Sequence, residues 1–145
     1  MKLYLGADHA GFELKQQLVK YLRDRHYDVE DVGAHELDKN DDFPRYAFAV
    51  ATKVLGEDDA RGILVCGSGQ GMAMAANRIS GIRASIAWSE EVAHETRIDN
   101  DSNVLSIPAR FLDTKTAEKI VETWLETPAS DDPKYHRRID EIEDI

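Results

Sequence analysis

Arg61-Gly62-Ile63-Leu64-Val65-Cys66-Gly67-Ser68-Gly69-Gln70-Gly71-Met72-Ala73-Met74-Ala75-Ala76-Asn77-Arg78 is the stretch that decides the fold. Gly62 to Cys66 is apolar and β-branched, and a polar turn precedes it, so it reads as a short buried strand. Gly67-Ser68-Gly69-Gln70-Gly71 follows without a break. Met72 to Arg78 is rich in strong helix formers and poor in bulk. A strand that passes through a glycine-rich loop into a helix builds an anion site. The first amides of the helix lack internal partners, and its dipole adds partial positive charge there. Glycines at 67, 69 and 71 let the backbone approach a ligand closely.

Cys66, the only cysteine, stands where this strand ends. A thiol beside a helix N-terminus can have a lowered pKa and a larger thiolate fraction. The plainer reading of the same position is a small buried hydrophobe. The loop is not a Walker A motif, because no Lys-Ser/Thr pair follows the last glycine, and its spacing does not fit the dinucleotide fingerprint.

Upstream, Lys2 to Gly6 reads as a first strand, Ala7 to Gly11 as a turn, and Phe12 to His26 as a helix. Leu14, Leu18, Tyr21 and Leu22 recur at three and four, which gives that helix one buried face. Asp28 to Gly33 is a second strand, and residues 34–42 are polar and irregular. Pro44 suits the first turn of the next helix, whose inner face is Ala47, Val50, Ala51 and Val54. Downstream, Ile82 to Ala87 is a fourth strand. Ser89-Glu90-Glu91 starts a helix reaching about Ile98, and Asp99-Asn100-Asp101 reads as a turn. Asn103 to Ile107 is a fifth strand. A helix capped by Asp113 or Thr114 follows, and a last helix covers 133–143. Strands alternating with helices predict a three-layer α/β/α domain over 1–145, a five-stranded parallel sheet of Rossmann-like type. Ligands of such sheets collect at the carboxyl ends of the strands.

A chain of 145 residues suits one domain. It can bury ~68–70% of its unfolded surface without metal or disulfide staples. One cysteine excludes an intrachain disulfide and fits a reducing compartment. The opening apolar run is too short for a secretion signal, and no stretch approaches the ~20 residues needed to span a bilayer. The cytoplasm is the expected location. A net charge of −10 makes the chain a poor binder of nucleic acid or anionic membrane, although a local basic cluster could still hold a small anion.

Asp8-His9 follows the first strand. Read alone it is a turn residue and a surface histidine, but its expected position near the glycine loop makes it a site candidate. His26, His35 and His94 have no partners at metal spacing and read as surface residues. No cluster of His, Cys, Asp or Glu supports a metal. Lys134 and Arg138, four apart in an acidic chain, share a helix face and could grip one phosphate. The competing reading pairs Lys134 with Asp131 and Arg138 with Glu141.

Gly6-Ala7-Asp8-His9-Ala10-Gly11, Asp42 to Ala47, Cys66 to Met72, Ala75 to Arg78, Gly81 to Ala84 and Asn100 to Leu105 resemble the type B ribose-5-phosphate isomerases. That family extends to galactose-6-phosphate and allose-6-phosphate isomerases. The resemblance runs in order over nearly the whole chain. It implies a cofactor-free and metal-free aldose–ketose isomerisation through a cis-enediolate. Cys66 matches the base that moves a proton between C1 and C2. Gly67, Ser68, Gly69, Gln70 and Gly71 match the loop whose amides hold the enediolate oxygen. Met72 stands where some relatives place a catalytic glutamate, so the cysteine mechanism applies. Asp8 matches a residue of ring opening and oxygen proton transfer, His9 a phosphate contact, and Asn100 a hydroxyl ligand. Arg110, Lys134 and Arg138 match phosphate-site positions. Family tails reach the neighbouring subunit's site, which implies a homodimer or dimer of dimers with sites at the interface.

Two positions depart from the pattern. Asp99 stands where ring-opening members carry histidine, and an unperturbed carboxylate accepts protons near neutral pH but does not donate them. Lys134 replaces an arginine, a fork replaced by a point charge. The expected substrate is therefore a small phosphorylated sugar, ribose 5-phosphate by default. The alternatives are another sugar phosphate such as a hexose 6-phosphate, or a binding protein without turnover.

Overall fold

The computed structural model describes residues 1–145. Its five strands are β1 (Lys2–Ala7), β2 (Asp28–Gly33), β3 (Ala60–Cys66), β4 (Ala84–Ile86) and β5 (Val104–Pro108). All neighbours pair in parallel, in the order β2-β1-β3-β5-β4. The helices are α1 (Phe12–Asp24), α2 (Phe43–Leu55), α3 (Gln70–Ala76), α4 (Glu90–Asn100), α5 (Thr114–Glu126) and α6 (Pro133–Glu143). The expected three-layer α/β/α architecture is thus present. No helix is long and apolar enough to cross a membrane.

Strand parity divides the core in two. Leu3, Leu5, Ile63, Val65, Leu105 and Ile107 face α1, α4 and α5 and pack with Leu18, Leu22, Ile120 and Trp124. Tyr4, Leu64, Cys66 and Val104 face α2 and α3 and pack with Val50, Val54, Met72 and Ala76. A parallel sheet covered on both faces needs apolar residues at both parities, which explains the unbroken run Ile63 to Cys66. Caps set the helix starts. Ser89 accepts the Val92 amide at 3.2 Å, Asp113 the Thr116 amide at 2.8 Å and Asp132 the Lys134 amide at 3.0 Å.

Most boundaries shift by one or two residues from expectation, and for two of them the hydrogen bonds show why. β4 is only Ala84–Ile86, because the Ile82 amide closes a turn on the Ile79 carbonyl and the Arg83 amide is taken by Asn103 Oδ1 at 2.8 Å. The helix expected to stop near Ile98 runs through Asp99 to Asn100. Its last carbonyls are held by Arg83, whose Nε donates to Asn100 O at 3.1 Å and whose Nη2 donates to Asp101 O at 2.9 Å. Asp101 then turns the chain in the left-handed region, with φ 45°.

The chain crosses from β1 outward to β2 and then returns past β1 to β3. The crevice at the carboxyl ends of β1 and β3 is therefore a topological switch point, where open α/β sheets hold their ligands.

Candidate active site

β1 and β3 run level to that crevice, with Ala7 opposite Val65, so Asp8 and Cys66 leave neighbouring strand ends. The buried Asp8 carboxylate closes the turn into α1. Its Oδ1 accepts the Ala10 amide at 3.1 Å and the Gly11 amide at 3.2 Å. Cys66 is 5% exposed, and its Sγ accepts the Gly69 amide at 3.2 Å. Burial pushes the thiol above its ordinary range, and nearby Asp8 adds to this. Amides of Met72, Gly69 and Ser68 oppose the shift without cancelling it. The expected lowering by a helix N-terminus is thus reversed, because desolvation of the thiolate outweighs the amide donors. The buried-hydrophobe reading describes the packing of Cys66, and its amide contacts show that the sulfur is also addressed by the loop.

The loop folds tightly. Gly69 sits at φ 76°, a conformation that side-chain-bearing residues avoid, and its carbonyl accepts Ser106 Oγ at 2.7 Å. Ser68 Oγ accepts the Gln70 amide at 3.3 Å. Arg110 follows β5 in a single 3₁₀ turn, Ala109–Phe111, and its amide donates to Gly67 O at 3.0 Å. Its guanidinium lies against Gly67, where an added Cβ would meet Nη1 at 2.6 Å. Arg110 has no carboxylate partner, in contrast to Arg83 and Arg97, which are both paired. His9 is held by Asp41, which accepts the His9 backbone amide at 3.0 Å and meets Nδ1 at 2.8 Å. That hydrogen bond raises the imidazole pKa, and Arg110 partly opposes it.

Asp8, His9, Cys66, Gly67, Ser68, Gly69, Gln70, Gly71 and Arg110 thus share one edge. The remaining candidates lie elsewhere. α4 runs back from β4, so Asp99 and Asn100 stand at the opposite, amino-terminal edge, just before β5. Asp99 is therefore not near Asp8 within one chain: α4 spans the sheet between them. Lys134 and Arg138 project from α6, which has no buried residue and packs against α4. α6 is tied there by Arg83 Nη1 to Glu143 Oε1 at 2.5 Å. Lys134 approaches Asp132 at 3.6 Å instead of Asp131. Arg138 lies over the Tyr135 ring at 5.8 Å and takes no carboxylate.

Asp41 was not legible as a site residue. It is the last residue but one of the irregular 34–42 segment, 32 residues from His9. With Asp8 and His9 it forms a group whose polar side-chain atoms lie within 4.8 Å of one another, a grouping that sequence spacing conceals. Internal hydrogen bonds already engage Asp8 Oδ1, Asp41 Oδ1 and Nδ1 of His9. His26, His35 and His94 are exposed, as expected. A cleft of about 530 Å³ adjoins the loop, lined by Ser68, Gln70, Ile86, Trp88, Pro108 and Phe111. Trp88 and Phe111 are largely exposed there. A larger hollow of about 620 Å³, on the acidic outer side of α4, includes Asn100 but none of the strand-end groups.

A family model described as Ribose/Galactose Isomerase matches residues 3–142. The chain is similar to the ribose-5-phosphate isomerase B of Mycolicibacterium paratuberculosis, 41% identical over 140 residues, covering 97% of this chain and 88% of the relative. The ribose-5-phosphate isomerase B of Escherichia coli is 40% identical over 124 residues, covering 86% and 83%. Among solved structures, a ribose 5-phosphate isomerase from Thermotoga maritima superposes with a TM-score of 0.95 at 38% identity, covering 99% of this chain and 98% of that one. The ribose-5-phosphate isomerase B of Mycoplasma genitalium, solved with ribulose-5-phosphate bound, gives 0.94 at 35% identity, covering 99% and 94%.

Proposed function

This chain belongs to the ribose/galactose isomerase family, and on that premise we propose that it interconverts ribose 5-phosphate and ribulose 5-phosphate. The observation that carries the reading is the convergence of Cys66, Asp8, the amide loop and an unpaired Arg110 at one strand edge. Cys66, as thiolate, removes the C2 proton of the open-chain aldose. The C2–H electron pair forms the C1–C2 double bond, and the carbonyl pair settles on O1. Loop amides stabilise that oxyanion, an electrostatic contribution made strong by the buried setting. Asp8 moves the hydroxyl proton between O2 and O1, and Cys66 returns the carbon proton at C1. His9 and Arg110 hold the phosphate.

The second half of the site comes from another copy of the chain. Asp99, Asn100, Lys134 and Arg138 cannot reach Cys66 of their own chain, since they stand at the other edge of the sheet or on α6. Exposed Trp88 and Phe111 beside the loop supply an apolar surface for that copy. A homodimer is the smallest unit that completes the site. With one free thiol and metabolic relatives, the cytoplasm is the compartment this reading assigns.

Asp99 in place of histidine favours one second reading, the same chemistry on another sugar phosphate. Initial rates of the purified protein on pentose and hexose phosphates separate the two, and failure to turn over any of them overturns both. The shared site is tested by mixing inactive Cys66→Ala with inactive Lys134→Ala/Arg138→Ala chains. Random exchange in a dimer restores about one site in four. No recovery after subunit exchange rejects the shared site.

A further inference from the structure

We infer that Asp41 is a positioning residue: its buried carboxylate fixes the His9 imidazole through Nδ1, so that Nε2 is the ring's free donor toward the substrate phosphate. The inference rests on the proposed sugar-phosphate reaction and adds a residue to it.

The Asp41 side chain is fully buried, whereas His9 remains about one third exposed. Its Oδ1 serves the backbone amide and the ring nitrogen of the same residue, at 3.0 and 2.8 Å. A carboxylate can only accept here, so Nδ1 carries a proton. In the neutral ring Nε2 would then be an acceptor and would repel a phosphate oxygen. Only the imidazolium offers Nε2–H. Asp41 favours that form, and its own carboxyl is lowered by His9 despite burial. Asp8 also favours the cation, Arg110 opposes it, and Glu13 and Lys39 line the hollow beside His9. The Tyr46 hydroxyl bears on Asp41 from α2.

A purely structural Asp41, one that only ties its loop to the β1–α1 turn, would be adequately replaced by a neutral acceptor. Asp41 Oδ2 is buried without a hydrogen-bond partner, an arrangement that costs stability and that a loop tie does not require. The segment is already anchored at its start. There the fully buried Lys15 joins Asp31 Oδ1 at 2.7 Å and the Ala34 carbonyl, and the Ala34 amide donates to Ala7 O at 2.9 Å.

The test is Asp41→Asn, whose amide oxygen can still accept the His9 backbone amide. Nitrogen and proton NMR titration reads the His9 pKa directly, with or without activity. The expected result is a fall toward the ordinary value near 6.5. In steady state, KM for ribose 5-phosphate should rise at pH 7.5, by at most about tenfold, and should change little near pH 5.5, where an imidazole of ordinary pKa is already charged. kcat should change little. In a His9→Asn background, Asp41→Asn should add nothing to KM. An unmoved His9 titration in a folded Asp41→Asn protein overturns the inference, as does an equal KM effect at both pH values. Wild-type protein with no isomerase activity would instead overturn the proposed function, and the NMR arm would still decide the positioning.

Discussion

Replacing Gly67 with alanine should damage phosphate binding through Arg110 and through nothing else. An alanine Cβ would stand 2.6 Å from Arg110 Nη1, 2.7 Å from Cζ and 3.0 Å from Nε. Ordinary contact begins near 3.4 Å, so the guanidinium must retreat by about 0.8 Å. Arg110 is exposed and flexible, so the protein accommodates this with little loss of stability. Its geometry toward an anion is another matter, since a displacement near 1 Å can cost on the order of 10²-fold when a group must meet a ligand in one arrangement. The expected result is a KM for ribose 5-phosphate raised ~10–100-fold, with a smaller change in kcat. The Gly67 amide is retained, so a role in holding the enediolate is not removed. The assay is a double-mutant cycle over wild type, Gly67→Ala, Arg110→Ala and the double variant, with KM, kcat and inorganic phosphate affinity for each. If Arg110 transmits the effect, the double variant matches Arg110→Ala alone. An unchanged KM in Gly67→Ala, or the same penalty with Arg110 already absent, would refute the reasoning.

Cys66→Ala should abolish solvent proton exchange at C2 while phosphate still binds, and near-normal turnover would remove Cys66 as base. Because burial raises the thiol, the thiolate fraction is small at neutral pH, so the wild-type rate should climb with pH up to and beyond ~8.5; a plateau below pH 7 would contradict the sign of the shift. Lys15→Ala strands the Asp31 carboxylate and the Ala34 carbonyl, so chemical denaturation should show a loss of about 3–5 kcal/mol; a loss under about 1 kcal/mol would mean that water replaces the ammonium. Asp99→His should raise the initial rate with cyclic ribose 5-phosphate more than with open-chain ribulose 5-phosphate, and equal effects in both directions would show that Asp99 does not replace a ring-opening group.

The architecture was legible because a few signals are local. Ile63 to Cys66 read as a buried strand from its unbroken apolar run, and the faces of α1 and α2 followed from three–four spacing. The glycine loop announced its own turn. What was not legible depends on partners distant in sequence. Asp99 and Asn100 favour turns in isolation, yet Arg83 holds the end of α4 in helix by binding its last carbonyls. Lys15 carries a charge that the periodicity of α1 gives no reason to bury, and Asp31 neutralises it from another strand. The Cys66 shift depends on depth of burial, which position beside a helix does not reveal. Asp41 sits in a segment without periodicity, and only the folded chain brings it to His9.

The parity of β3 has a further consequence, for how this sequence can vary. Cys66 is locked in place from its carboxyl side, by the Gly69 amide on its sulfur and by the Arg110 amide on Gly67 O. Remove Leu64, and every residue upstream moves up one place. Ile63 would cross to the α2 face, and Gly62 would leave a hole on the α1 face. Arg61 would land in the place of Gly62, where even a methyl group meets Val50 at 2.6 Å and Val104 at 3.2 Å. A side chain can be exchanged along this strand for another of similar volume, and descendants of the sequence can drift that way. Loss of one residue is far harder to absorb, because it exchanges the two apolar faces of the strand for each other while the Cys66 sulfur stays where it is.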